Sequence, residues 1–342
     1  MKLETWKPKT NFKFNFENAK YILAFLVLIF VIFGGVKFGK ITNEYVYWKD
    51  TEDLYTAALV NAPIDYSYMK PFRNWEIEGL DDIEAGAAIA LVVKTYEQKG
   101  EKSRVVFEKN SSKILHIASL TKLLTAYISL KNYDLEQKTT ITKEVVDTEE
   151  SKGQFRIGEE FTVEELLHSM LIESSNDAAK AIADIMGEKQ FVRLMNSQVK
   201  KMGLENTHFI DPIGLDPDFP NQGYNYSTVH DLAKMAEYML RESEKDLKIA
   251  KLFEIIKKPE YTVSLSNGHS HHQAITTDKL LNEFPDMIGA KTGQTPIAGQ
   301  CLLVIMPKLK SNGYVITIIL NSNDRFGEMR KIINWLNQAF IW

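Results

Sequence analysis

The chain has 342 residues, 44% hydrophobic and 25% charged, with 41 Lys and Arg against 45 Asp and Glu. That composition excludes a wholly disordered or collagen-like chain, and a net charge of −4 supplies no global basic field for nucleic acid. A single cysteine, Cys301, excludes an intramolecular disulfide framework and a cysteine-based zinc finger.

The first 20 residues carry Lys2, Lys7, Lys9, Lys13 and Lys20 against Glu4 and Glu17. Tyr21 to Val36 then form an uncharged, apolar run at the lower limit of what spans a bilayer. Lys20 and Lys37 can snorkel to close the gap. The expectation is a cytoplasmic tail over 1–20, a transmembrane anchor over 21–37, and everything beyond it outside. A cleaved signal peptide is the rival, but no small-residue cleavage site follows the run. Residues 38–80 read as a juxtamembrane stalk, partly helical around Asp50–Val60.

Residues 81–342 read as one catalytic unit. Ala85–Lys94 and Ser103–Glu108 are expected strands, joined by a turn over Glu97–Lys102. Ile117–Leu130 is apolar on nearly every face and predicts a buried helix. Thr162–Leu171 opens with Thr162 and Glu165 at capping-box spacing. Asp177–Met186, Gln190–Met202 and Thr228–Leu240 are further helices. Gln300–Met306 and Tyr314–Asn321 are strands joined through Asn312-Gly313, and Arg325–Phe340 closes the chain as an amphipathic helix. Strands at both ends and helices between them predict an α+β fold. It is an antiparallel β-sheet flanked by helices, with an inserted all-α subdomain at about 125–280 and a transmembrane helix before it.

Three short motifs carry chemistry. Ser-x-x-Lys occurs at Ser67…Lys70, Ser119…Lys122 and Ser197…Lys200, but only the second opens an apolar helix. Spacing of three sets the Lys ammonium beside the Ser hydroxyl. Serine needs a base to become a nucleophile, and a buried lysine, its pKa lowered, can be that base. Ser174-Ser175-Asn176 lies between two predicted helices, where a helix N-cap is the plainer reading. Lys291-Thr292-Gly293 begins a predicted strand, and Gly293 clears space for a close backbone approach. Their order along the chain is that of the penicillin-interacting serine enzymes.

With the surrounding runs HIASLTKLLTA, GEEFTVEELLHSMLIESSNDAA, FIDPIGL and GAKTGQTPIAGQCLLV, residues 85–342 resemble the D-alanyl-D-alanine carboxypeptidases of low molecular mass, a penicillin-binding protein family. The resemblance implies the β-lactamase/transpeptidase-like fold. It implies Ser119 as acyl-forming nucleophile, Lys122 as general base and Ser174 as proton relay. It implies Asn176 as orienting the substrate amide, and Lys291, Thr292 and Gly293 as binding the substrate's terminal carboxylate end. The backbone amides of Ser119 and Gln294 would form the oxyanion hole, with no metal and no cofactor. The expected substrate is the peptidoglycan stem pentapeptide, the expected inhibitors are β-lactams, and residues 21–37 would meet the lipid bilayer. Ser175 departs from the usual Ser-Gly-Asn.

Rival functions are a D,D-endopeptidase, a class A-like β-lactamase and a catalytically silent scaffold. The β-lactamase needs Glu-x-x-Leu-Asn, and the nearest run is Asp278-Lys-Leu-Leu-Asn282. His269, His271 and His272 form a polar cluster, His116 is expected to be structural, and Cys301 to be a small buried hydrophobe.

Overall fold

The computed structural model describes residues 72–93, 103–217, 219, 223–307 and 313–341. The tail over 1–20, the anchor over 21–37, the stalk as far as residue 71, Ser67…Lys70, the turn over Glu97–Lys102 and Asn312 lie outside the described residues. Among the described residues no helix is long and apolar enough to cross a membrane.

The chain begins its sheet with β1 (Ala87–Val93) and β2 (Arg104–Lys109). A 3-10 turn over Ala118–Leu120 leads into α1 (Thr121–Asn132), and α2 (Val163–Ile172), α3 (Asn176–Asp184) and α4 (Glu188–Lys201) follow. Next come α5 (Val229–Ser243), α6 (Leu247–Ile256) and a hairpin of β3 (Glu260–Ser264) and β4 (Ser270–Ile275). The chain then returns to the sheet as β5 (Gly289–Thr295), β6 (Gly299–Pro307) and β7 (Tyr314–Ser322), and α7 (Arg325–Ala339) covers it.

The sheet order is β5-β6-β7-β1-β2, antiparallel throughout. Residues near the two ends of the unit therefore build one sheet around the helical insert. The unbroken apolar run of β1 follows from burial on both faces. Ala87, Ile89, Leu91 and Val93 face the helical core, whereas Ala88, Ala90 and Val92 face Met329, Ile332, Ile333 and Leu336 of α7. The apolar stripe of α7 is thus a sheet-packing face.

The helix starts confirm the caps and revise one of them. Thr162 Oγ1 accepts from Glu165 N at 3.2 Å, and Thr228 Oγ1 from Asp231 N at 3.0 Å. The Glu165 carboxylate does not complete the capping box. It turns to the hairpin instead, accepting from Tyr261 Oη at 3.0 Å and Ser264 N at 2.8 Å. Helix α6 and the hairpin were not expected from the sequence. Asp246 caps α6 at Lys248 N, and Ile249, Leu252, Phe253, Ile255 and Ile256 bury its inner face.

Candidate active site

Ser119 sits in the 3-10 turn that opens α1. The preceding Ala118 is in the left-handed region at φ 47°, a conformation that costs an alanine on the order of 1 kcal/mol. Two glycines make the turn possible. A Cβ on Gly293 would lie 3.0 Å from both Ala118 Cβ and Ser119 N, so only glycine lets edge strand β5 run beside the turn. A Cβ on Gly214 would fall 2.1 Å from Ala118 O, and Gly214 itself has φ +94°.

Lys122 lies one helical turn on and is fully buried. Its Nζ is 2.8 Å from Ser119 Oγ, 2.7 Å from Asn176 Oδ1 and 2.9 Å from Ile213 O. Burial lowers its pKa from the usual lysine value to about 7, although Asp211 pulls upward. Asp211 holds the loop that brings Ile213 here, accepting from Ile213 N at 2.7 Å and Gly214 N at 2.6 Å.

Ser174 follows the end of α2 and is also left-handed, at φ 65°. Ser175 is the N-cap of α3, its Oγ accepting from Ala178 N at 3.0 Å and donating to Asp177. The extra hydroxyl is therefore spent on the helix start and stays out of the cavity. Asn176 enters the first turn of α3, and its Nδ2 donates to Glu149 O at 2.9 Å, so both ends of the amide are held. From β5, Lys291 Nζ donates to Ser174 Oγ at 2.8 Å and to Thr292 O at 2.8 Å. Lys291 is 1% exposed. Burial lowers its pKa well below the usual value, and the charges of Lys122, Lys152 and Arg325 push the same way.

These elements enclose a cavity of about 130 Å3, lined by Ser119, Ser174, Asn176, Thr292, Gly293 and Gln294, with Glu150, Lys152, Thr277 and Arg325. Ligand pockets usually start near ~300 Å3, so this one suits the end of a chain better than a whole molecule. Sequence reasoning missed the last four residues. Arg325 Nη1 donates to Gly293 O at 2.7 Å, and Thr277 Oγ1 lies 2.5 Å from Thr292 Oγ1. Lys152 and Arg325 line the cavity, and Lys291 Nζ donates to Ser174 Oγ, which also lines it. A hydroxyl beside an amine that is partly neutral near pH 7, in a cavity that Arg325 and Lys152 also line, suits acyl transfer on a substrate ending in a carboxylate.

The other candidates lie elsewhere. Ser197 and Lys200 are exposed on α4. His116 stacks on Tyr224 with ring centroids 3.6 Å apart. Cys301 is fully buried in β6. Asp278 caps Leu280 N at 2.9 Å and does not reach the cavity. Among the described residues no group of His, Cys, Asp and Glu is arranged to hold a metal.

Comparison with known proteins agrees with this geometry. The profile of the D-alanyl-D-alanine carboxypeptidase family matches residues 76–324. D-alanyl-D-alanine carboxypeptidase DacF of Bacillus subtilis is 29% identical over 244 residues, which cover 69% of this chain and 59% of that protein. The chain therefore spans about three fifths of the length of that relative. A D-alanyl-D-alanine endopeptidase of Escherichia coli is 26% identical, covering 76% of this chain and 79% of the relative. Among solved structures, penicillin-binding protein D2 of Listeria monocytogenes in its cefotaxime-bound form superposes with a TM-score of 0.62 at 26% identity, over 76% of this chain and 99% of that one.

Proposed function

The chain belongs to the D-alanyl-D-alanine carboxypeptidase family, and from that premise we propose that it is a serine D,D-carboxypeptidase that removes the terminal D-alanine from peptidoglycan stem pentapeptides. The observation that carries the reading is the set of partners around Lys122 Nζ. Asn176 Oδ1 and Ile213 O only accept hydrogen bonds, so they take both N–H of a neutral amine. The remaining lone pair then faces Ser119 Oγ. A pKa of about 7 keeps that amine populated near neutrality.

The reaction follows from this placement. Ser119 Oγ attacks the carbonyl carbon of the D-Ala–D-Ala bond as its proton passes to Lys122 Nζ. The carbonyl oxygen becomes an oxyanion and is received by the backbone N–H groups of Ser119 and Gln294, an interaction worth most when the charge develops. When the intermediate collapses, the C–N bond breaks and the leaving nitrogen takes a proton from Ser174 Oγ. Lys291, which donates to that hydroxyl, favours its loss of a proton, and the proton that Lys122 took from Ser119 replaces it, which returns Lys122 to the neutral amine. Water then attacks the Ser119 ester with Lys122 as base, freeing the shortened peptide and restoring the serine. Thr292, Thr277 and Arg325 receive the substrate carboxylate, and its charge raises Lys291 toward the ammonium form. Asn176 orients the substrate amide, and Gly293 lets the peptide lie along the open edge of β5. β-Lactams enter the same slot and acylate Ser119.

The endopeptidase reading is favoured by the endopeptidase relative. Incubation with a D-Ala-D-Ala pentapeptide and with cross-linked dimers separates the two. The carboxypeptidase reading expects D-alanine release from the pentapeptide to be faster, and preferential dimer cleavage would overturn it. We also place the catalytic unit outside the membrane, tethered by residues 21–37, because the lysines lie before the apolar run. Protease added outside intact cells would digest the catalytic unit; full protection would refute that placement.

A further inference from the structure

Next to Ser174 lies a buried cluster with no part in the reaction above. Strand β4 carries His271 and His272 with their Nδ1 atoms 2.7 Å apart. His272 Nε2 is 2.7 Å from Glu173 Oε1, and His271 Nε2 is 3.1 Å from Glu159 Oε2. The side chains of His271, His272 and Glu173 are only 11%, 5% and 11% exposed. Glu159 and Arg156 face the pair from the loop before Glu160–Thr162, Glu173 faces it from the end of α2, and the rings of Phe155 and Phe161 pack on it. Two zinc–nitrogen bonds of about 2.0 Å would hold nitrogens more than ~3 Å apart, so the facing Nδ1 atoms do not hold a metal between them.

The hydrogens in this cluster can be counted. Three contacts need three N–H groups. Two neutral imidazoles supply two, and one contact is left empty. Two imidazolium rings supply four, and two of these collide across the Nδ1 gap. One proton shared by the two rings fills all three contacts. The consequence reaches the cavity from two sides. Glu173 also accepts from Ser169 Oγ at 2.6 Å and directly precedes left-handed Ser174. Just past β4, Thr277 N donates to Ile172 O at 3.2 Å, and Thr277 Oγ1 meets Thr292.

We propose that His271 and His272 are positioning residues for Ser174: sharing one proton, they hold Glu173 against the hairpin and thereby fix the turn that aims Ser174 Oγ into the cavity. Loss of the shared proton at high pH empties one contact, and a second proton at low pH forces the rings apart. The positioning role rests on the reading of Ser174 as proton donor, whereas the shared proton does not.

Two measurements test it. In an NMR titration of the histidine-labelled protein, the signals of both rings are expected to change together in one common step, because one proton is shared across the 2.7 Å contact. Independent titration of the two rings overturns the shared proton, whether or not the protein releases D-alanine. In kinetics, His272→Phe removes the donor to Glu173, and His272→Gln keeps an N–H there without titrating. The Phe variant is expected to lose kcat on the order of 10- to 10²-fold with KM nearly unchanged, and the Gln variant to recover most of that loss with a flatter pH profile. A folded Gln variant as slow as the Phe variant, or a Phe variant as fast as wild type, overturns the positioning role. If thermal melts show that His272→Phe does not fold, His271→Phe, which leaves the Glu173 contact in place, is expected to lose the high-pH fall in kcat while the limb near 7 from Lys122 stays; an unchanged high-pH fall counts against the pair. Failure of the wild type to release D-alanine would instead overturn the carboxypeptidase reading.

Discussion

Lys122 Nζ stands 2.8 Å from Ser119 Oγ, and its other two hydrogen-bonding directions end on Asn176 Oδ1 and Ile213 O. An ammonium would donate to all three oxygens. The neutral amine must turn its lone pair to the hydroxyl. The same three distances thus fit both the ammonium and the neutral amine, and burial brings the balance between the two close to neutral pH.

The pH dependence follows. Below about 7 Lys122 is an ammonium and cannot take the Ser119 proton. The kcat/KM for D-alanine release should therefore rise with pH through about 7, before the high-pH fall set by the His271–His272 pair. Lys122→Arg, which stays charged, should lose about 10²–10⁴-fold above that limb and show no limb near 7. A pH profile of both proteins checks this, and a residual limb near 7 in the variant would assign the titration elsewhere.

Gly214 should not tolerate a side chain. Alanine there would combine a strained φ of +94° with a Cβ set 2.1 Å from Ala118 O. Gly214→Ala should lower stability by about 2 kcal/mol or more, read by denaturant unfolding. It should also slow acylation, because the displaced loop carries the Ile213 carbonyl that holds Lys122.

Arg325 should act on substrate binding more than on chemistry. A hydrogen bond to a charged partner is worth roughly 1.5–3 kcal/mol. Arg325→Ala should accordingly raise KM about 10- to 100-fold for a substrate with a free carboxylate, and far less for the same peptide ending in an amide. Equal effects on the two peptides would remove Arg325 from the carboxylate site.

Cys301 should be inert while the protein is folded. Burial pushes its thiol up to about 11, so little thiolate exists at neutral pH. Iodoacetamide should label it only after denaturation, as mass spectrometry would show.

The motif residues were legible because each needs a particular local structure. Ser119 and Lys122 need one helical turn, Ser175 a helix start, and Lys291 to Gly293 a strand. What spacing could not give is how distant segments meet. Arg325 reaches Gly293 O only because β6 and β7 carry the chain back beside β5, and Thr277 reaches Thr292 only through the hairpin. Spacing also could not show that Lys291 Nζ meets Ser174 Oγ, 117 residues away in the chain. The β4 strand was hard to see because its burial does not alternate: in Ser270–Ile275 the neighbours His271 and His272 are both partly buried and only Ala274 is fully so. Helix α6 does carry a signal in the sequence, Asp246 followed by an apolar stripe from Ile249 to Ile256.

The central claim is that Ser119 forms the acyl-enzyme. Intact-mass and peptide-mapping spectrometry after brief exposure to a penicillin should show one adduct, on the peptide containing Ser119, and none in Ser119→Ala. Equal labelling of that variant, or an adduct on any other residue of the wild type, would contradict the account.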